Sequence, residues 1–200
     1  MKAARRTQAD RREGTIRKLL DAATDALVEL GYAGASVQEI CARAGVSHGG
    51  LFRHFPTTEA LMVAVAADAS RQILDQYRSR YVTLQPGDDR LALALELVRT
   101  SCRSKLNQAW YELMIAARTS PTLRKAIAPL AATYYRDITA LARQLLPELV
   151  LRLGDRFDVF VDTVIAMFDG ETLHRFVTKQ PAMDEQRIGL IASLIAASSS

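Results

Sequence analysis

Apolar stripes at helical spacing, separated by short polar or glycine breaks, run through the chain, and no alternation of strands with helices is visible. Ile16, Leu19, Leu20, Ala23, Leu27 and Leu30 form the first stripe, which predicts a helix starting near Thr15 and closed by Gly31. Val37, Ile40, Cys41 and Ala44 fall at i, i+3, i+4 and i+7, the apolar face of a short second helix. Ser36-x-x-Glu39 opens it as a capping box, the serine hydroxyl accepting the Glu39 N–H and the glutamate reaching back to the serine N–H. Gly45 ends it where left-handed backbone is wanted, and Val46 plugs the turn. Ser47 is placed to cap a third helix, whose Leu51, Phe52 and Phe55 can face inward before Pro56 stops it. Helix, glycine turn and helix over Ser36–Phe55 make a helix-turn-helix pattern, and the first helix can pack across it.

Beyond it, Leu61, Val65, Ala69, Ile73 and Tyr77 predict a long helix from Thr57 to about Tyr81. Gln85-Pro86-Gly87-Asp88 reads as a loop, after which Asp88 or Asp89 can cap a helix carrying Leu91, Leu95, Val98 and Cys102. Trp110 to Ile115 lie on a helix closed by Thr119-Ser120-Pro121, and another runs from Thr122 to about Leu146 past Pro129. Asp155 to Val177 is a strongly apolar helix, and Pro181 separates it from a last one. The fold class is all-α, with a boundary expected between residues 56 and 57.

What the third helix leaves outside points to DNA. With Leu51 and Phe55 buried, Ser47, His48, Gly49, Gly50 and His54 lie opposite them, all small or polar. Adjacent glycines cost a helix about 1 kcal/mol each, and they let the backbone approach a groove closely. Charge strengthens this reading. The formal charge of +4 is modest, but residues 1–18 hold seven Lys and Arg against two acidic side chains, a local +5 that leaves about −1 for the rest. A basic end on a near-neutral body suits a phosphate backbone, whose neutralisation releases counterions.

Ala42 to Leu61, A-R-A-G-V-S-H-G-G-L-F-R-H-F-P-T-T-E-A-L, resembles the turn, recognition helix and following linker of the TetR family of transcriptional regulators. Leu19 to Val37 is similar to that family's first helix and the loop after it. Three positions depart from the common pattern: His48 where lysine is frequent, His54 where tyrosine is usual, and Thr58 where a lysine often meets a phosphate. The resemblance implies residues 1–56 as a helix-turn-helix domain with a basic arm, and residues 57–200 as a helical domain for ligand binding and dimerisation. It also implies a homodimer on a palindromic operator, with paired recognition helices in successive major grooves. His48 and Gln38 would meet base edges, with Gly49 and Gly50 allowing close approach and Phe52 on the same helix. Ser36, Ser47, His54 and Thr58 would bind phosphates, and Arg5 and Arg6 would follow the backbone or enter the minor groove.

Trp110 to Arg124 resembles the family's ligand-domain segment. Candidates for a pocket are Tyr77, Arg99, Trp110, Met114, Arg118, Tyr134, Phe168 and His174, which would suit a small, largely apolar effector that releases the operator. Phe157, Phe160, Val161, Val164, Ile188, Ile191, Leu194 and Ile195 resemble the family's dimer interface, though the same helices can also close the chain's own core.

Two other function classes can be weighed. Gly45-Val46-Ser47-His48-Gly49 matches the G-x-S-x-G elbow of hydrolases, but that motif needs a strand before the serine and here a capped helix precedes it. An effector-free DNA-binding module would differ by having a filled body rather than a cavity. Cys41 and Cys102 are too few for a disulfide framework, and the three histidines show no metal-ligand spacing, so neither cofactor nor metal is expected. No apolar run reaches the roughly 18 residues of a membrane span, and the N-terminus lacks the apolar segment of a signal peptide. The reading is a cytoplasmic regulator rather than an enzyme.

Overall fold

The computed structural model describes residues 7–82 and 89–197. Arg5, Arg6 and the predicted loop at 85–88 lie outside the described residues. Helices α1 (Gln8–Gly34), α2 (Val37–Ala44), α3 (His48–His54), α4 (Thr58–Val82) and α5 (Arg90–Cys102) come first. They are followed by α6 (Lys105–Thr119), α7 (Pro121–Leu145), α8 (Pro147–Leu153), α9 (Phe157–Arg175) and α10 (Pro181–Ala197), with one 3₁₀ turn at Gly154–Arg156. Among the described residues there is no strand.

Two compact units form: Met1–Ser70 with Lys105–Ala131, and Arg71–Ser104 with Ala132–Ser200. The division differs from the one expected at 56/57, because α6 packs on α1 and shares its core. Leu19, Leu27, Ile40, Leu51, Leu61, Leu113 and Leu123 are all fully buried in that core, drawn from six helices. The second unit has its own core of Leu95, Cys102, Val164 and Phe168, with Ile188 and Ile191 packed against it.

Local chemistry explains the element ends. α1 begins earlier than its apolar stripe indicates, because Thr7 and Asp10 form a full capping box. Its first turns are polar and exposed, which is why hydrophobic periodicity passes over them. Gly31 breaks α1 with φ +70°, a conformation that a side chain disfavours. Asp89 caps α5 by accepting the Ala92 N–H at 3.0 Å. Helix α8 was not foreseen; Pro147 stands in its first turn, where a missing N–H costs nothing.

In the second unit a buried ion cluster ties three helices together. Glu171 of α9 and Asp184 of α10 are both buried, and Arg103, just past the end of α5, reaches both carboxylates. Arg187 also pairs with both, at 2.8 Å each, and Arg175 pairs with Asp184. Each buried carboxylate therefore meets at least two guanidinium groups, the condition under which a buried charge is tolerated.

Candidate nucleic-acid interface and ligand cavity

The candidate reading face is built by two serine caps and one glycine. Ser36 Oγ accepts the Glu39 N–H at 3.2 Å, and Ser47 Oγ accepts the Gly50 N–H at 3.1 Å. Each serine keeps its own hydroxyl hydrogen to donate, and both are exposed. Only half of the predicted capping box forms. The Ser36 N–H donates to the Gly34 carbonyl at 2.8 Å, and the Glu39 carboxylate accepts from Arg43 at 2.7 Å. Arg43 also pairs with Glu29 at 2.7 Å, latching α2 to α1. Gly45 adopts φ +63° and turns the chain into α3.

Leu51 and Phe55 anchor α3 in the core, as their i, i+4 spacing requires. Phe52 does not face inward with them: it is 43% exposed. One step along a helix turns a side chain by about 100°, so Phe52 joins His48 and Gly49 on the outer side. Gln38, His48, Gly49 and Arg53 are exposed, while Gly50, His54 and Thr58 are half-buried. The two glycines differ in kind. A Cβ at Gly49 would meet nothing within 4 Å, whereas one at Gly50 would lie 2.9 Å from Val46 Cγ1. Gly49 leaves bare backbone outward; Gly50 makes room for the turn.

The interface is braced from α6. The Tyr32 N–H, in the break after Gly31, donates to Glu112 Oε2 at 3.2 Å. Lys105, at the start of α6, pairs with Asp25 of α1. Arg17 of α1 pairs with the buried Asp68 of α4 at 2.6 Å. These contacts tie α1, and with it the entry to α2, to α4 and α6.

Residues 19–65 match the sequence model of the bacterial regulatory proteins of the tetR family. An HTH-type transcriptional regulator of Mycobacterium tuberculosis is 37% identical over 192 residues, covering 96% of this chain and 98% of that protein. This chain belongs to the TetR family. Members of that family are DNA-binding transcriptional regulators rather than enzymes. The fold is that of a transcriptional regulator from Pseudomonas aeruginosa PAO1, with a TM-score of 0.73, 24% identity, and 97% and 95% of the two chains covered. The multidrug binding protein EbrR, solved in complex with imidazole, aligns with a TM-score of 0.64 at 22% identity, over 90% of this chain and 93% of that one.

A cavity of about 70 Å³ lies in the second unit of this TetR-family chain, between α4, α5, α7 and α9. Of the eight ligand candidates, only Tyr77 lines it. Tyr134 and Phe168 are buried in the same unit. Arg99 is drawn off to Glu96 and to the Asp184 carbonyl. Trp110 packs in the first unit's core, while Met114, Arg118 and His174 are exposed. Burial pushes the Tyr77 and Tyr134 phenols well above the usual tyrosine range.

The candidate dimer residues are divided. Phe157, Val161, Val164 and Ile195 are buried within the chain, and Phe160, Val161 and Val164 also line the cavity. Ile188 and Ile191 pack half-buried on the core of the second unit, and Leu194 alone of the eight is well exposed. α9 carries apolar residues on more than one side, so periodicity could not choose its inner face. The exposed apolar positions are Val159 and Leu173 on α9, with Met183, Leu190 and Leu194 on α10. Among the described residues, no helix is long and apolar enough to cross a membrane, and no group of His, Cys, Asp and Glu side chains could hold a metal.

Proposed function

We propose that this chain is a homodimeric repressor that grips a palindromic operator through α3 and releases it when a small, largely apolar molecule binds the second unit. The observation that carries this reading is the outer side of α3, where His48, bare Gly49 and exposed Phe52 stand beside a serine-capped N-terminus. His48 and Gln38 would address base edges, with the adjacent backbone of Gly49 close to the groove. Gly50 supports that approach by keeping the turn tight. Ser36, Ser47, His54 and Thr58 would meet phosphates, and Arg53 adds an exposed cation that the sequence reading passed over. Arg5 and Arg6 remain assigned to the DNA backbone or minor groove.

Pairing through the exposed apolar residues of α9 and α10 would bring two reading helices to half-sites one or more turns apart. A bound effector acts only through different affinity for the two arrangements of those helices. The imidazole complex of EbrR, a protein of the same fold, supports a ligand-responsive body. Selection of bound sequences from a random duplex pool at two salt concentrations tests the reading. A palindrome is expected, with affinity falling as salt rises. Salt-sensitive binding with no enriched sequence would reduce the protein to a non-specific binder.

A further inference from the structure

The outer side of α3 carries an aromatic ring that can neither donate nor accept a hydrogen bond. Phe52 is 43% exposed, although Leu51 beside it is fully buried and Phe55 is nearly so. Gly49 precedes Phe52 by three residues and Arg53 by four, so the three share one helix face. All three are exposed, and a Cβ at Gly49 would have nothing within 4 Å. Open backbone therefore lies between the positions of Phe52 and Arg53, with no side chain to hold a partner away. On a helix laid in a major groove, such a ring meets base edges. Those edges present ring nitrogens, carbonyl oxygens and amino groups, and a single hydrocarbon substituent, the C5 methyl of thymine. Covering a polar edge atom with this ring removes its water and returns no partner, which weakens binding by roughly tenfold. Covering the methyl removes apolar surface from water on both sides and strengthens binding by about fourfold. A phosphate gives the ring no alternative hold, because its oxygens need a donor.

We propose that Phe52 reads the 5-methyl group of a thymine, one in each half-site, with the bare backbone at Gly49 letting that base edge come close to the helix. The proposal deepens the operator reading above and rests on it. His48 and Gln38 keep the polar edges, and Phe52 adds a position at which cytosine and uracil both lack the group that is read.

The test replaces each symmetric pair of thymines in the selected duplex by deoxyuridine, which deletes the methyl and keeps every hydrogen-bonding atom. Binding of the full chain is followed by fluorescence anisotropy. At one pair the affinity is expected to fall by about fourfold per half-site. Phe52→Ala should bind the thymine duplex more weakly by a similar factor and be indifferent to uridine at that pair. Phe52→Leu keeps some hydrocarbon and should retain part of the discrimination, and thermal unfolding checks that both variants fold. The coupling between the protein change and the base change separates the contact from any effect of uridine on duplex shape. An equal response to uridine in the natural chain and in Phe52→Ala would overturn the proposal, since another residue would then hold the methyl. So would weaker binding by Phe52→Ala with no thymine sensitive to replacement, which would set the ring against sugars. In either case the enriched palindrome, and with it the operator reading, stands. A selection that enriches no sequence sinks both together.

Discussion

Gly49 and Gly50 are neighbours in sequence but answer to different constraints. Gly49→Ala meets no obstacle and removes a helix-destabilising residue, so it should raise stability by up to about 1 kcal/mol. The added methyl would sit on the reading face, so affinity for the selected duplex should fall. Gly50→Ala forces Val46 to move and should lower the melting temperature. Thermal unfolding and fluorescence anisotropy on the two variants would check the pair, and a Gly49→Ala protein with full affinity would remove Gly49 from the interface. The buried tyrosines give a separate test. Their folded-state pKa values lie above the ordinary 10, so the stability they contribute is complete below about pH 10 and is lost as pH rises through the raised values. Tyr134→Phe cannot ionise and should flatten the alkaline limb of a stability–pH curve. Much of the local structure around α3 was legible at this scale, since serine caps, the Gly45 turn and the Leu51–Phe55 anchor are all local signals. Phe52 was misplaced because apolar character alone does not fix the side of a seven-residue helix.

At the scale of elements, α6 is the brace of the helix-turn-helix. Glu112→Ala leaves the half-buried Tyr32 N–H without its carboxylate, and a loss of about 1 kcal/mol is expected from the urea midpoint. Glu112→Gln keeps an acceptor oxygen and should recover part of it. The ion cluster predicts a larger effect. Asp184→Ala leaves Arg175 without its carboxylate and Arg103 and Arg187 with Glu171 alone, and about 3 kcal/mol should be lost in chemical denaturation. A change below a few tenths would mean that solvent already satisfies these guanidinium groups. Helix existence was legible nearly everywhere, because stripes, caps and prolines recur along the chain. Three things were hidden for physical reasons: the polar start of α1, the short α8, and the inner face of α9. The first two lack an amphipathic stripe long enough to register, and α9 has apolar residues around too much of its circumference.

For the whole molecule, the expected partner is a second copy. Leu190→Asp and Leu194→Asp replace side chains about 60% exposed, so each should leave folding nearly intact while shifting sedimentation from dimer to monomer. Both variants remaining dimeric would place the interface elsewhere. Family membership was carried by the first sixty residues, whereas the extent of the first unit was not readable from them. The bond between Tyr32 and Glu112 spans 80 positions, and no local pattern announces a partner so distant. The membership of α6 in that unit also bears on descent. The chain leaves the first unit after Ser70, returns at Lys105 and departs again after Ala131. A single crossover just after α3 would hand the first unit a foreign Leu113, Leu123 and Glu112. Chains built this way can exchange their second units intact only by recombining at several junctions at once, so variety in that unit should arise more readily by substitution in place than by shuffling.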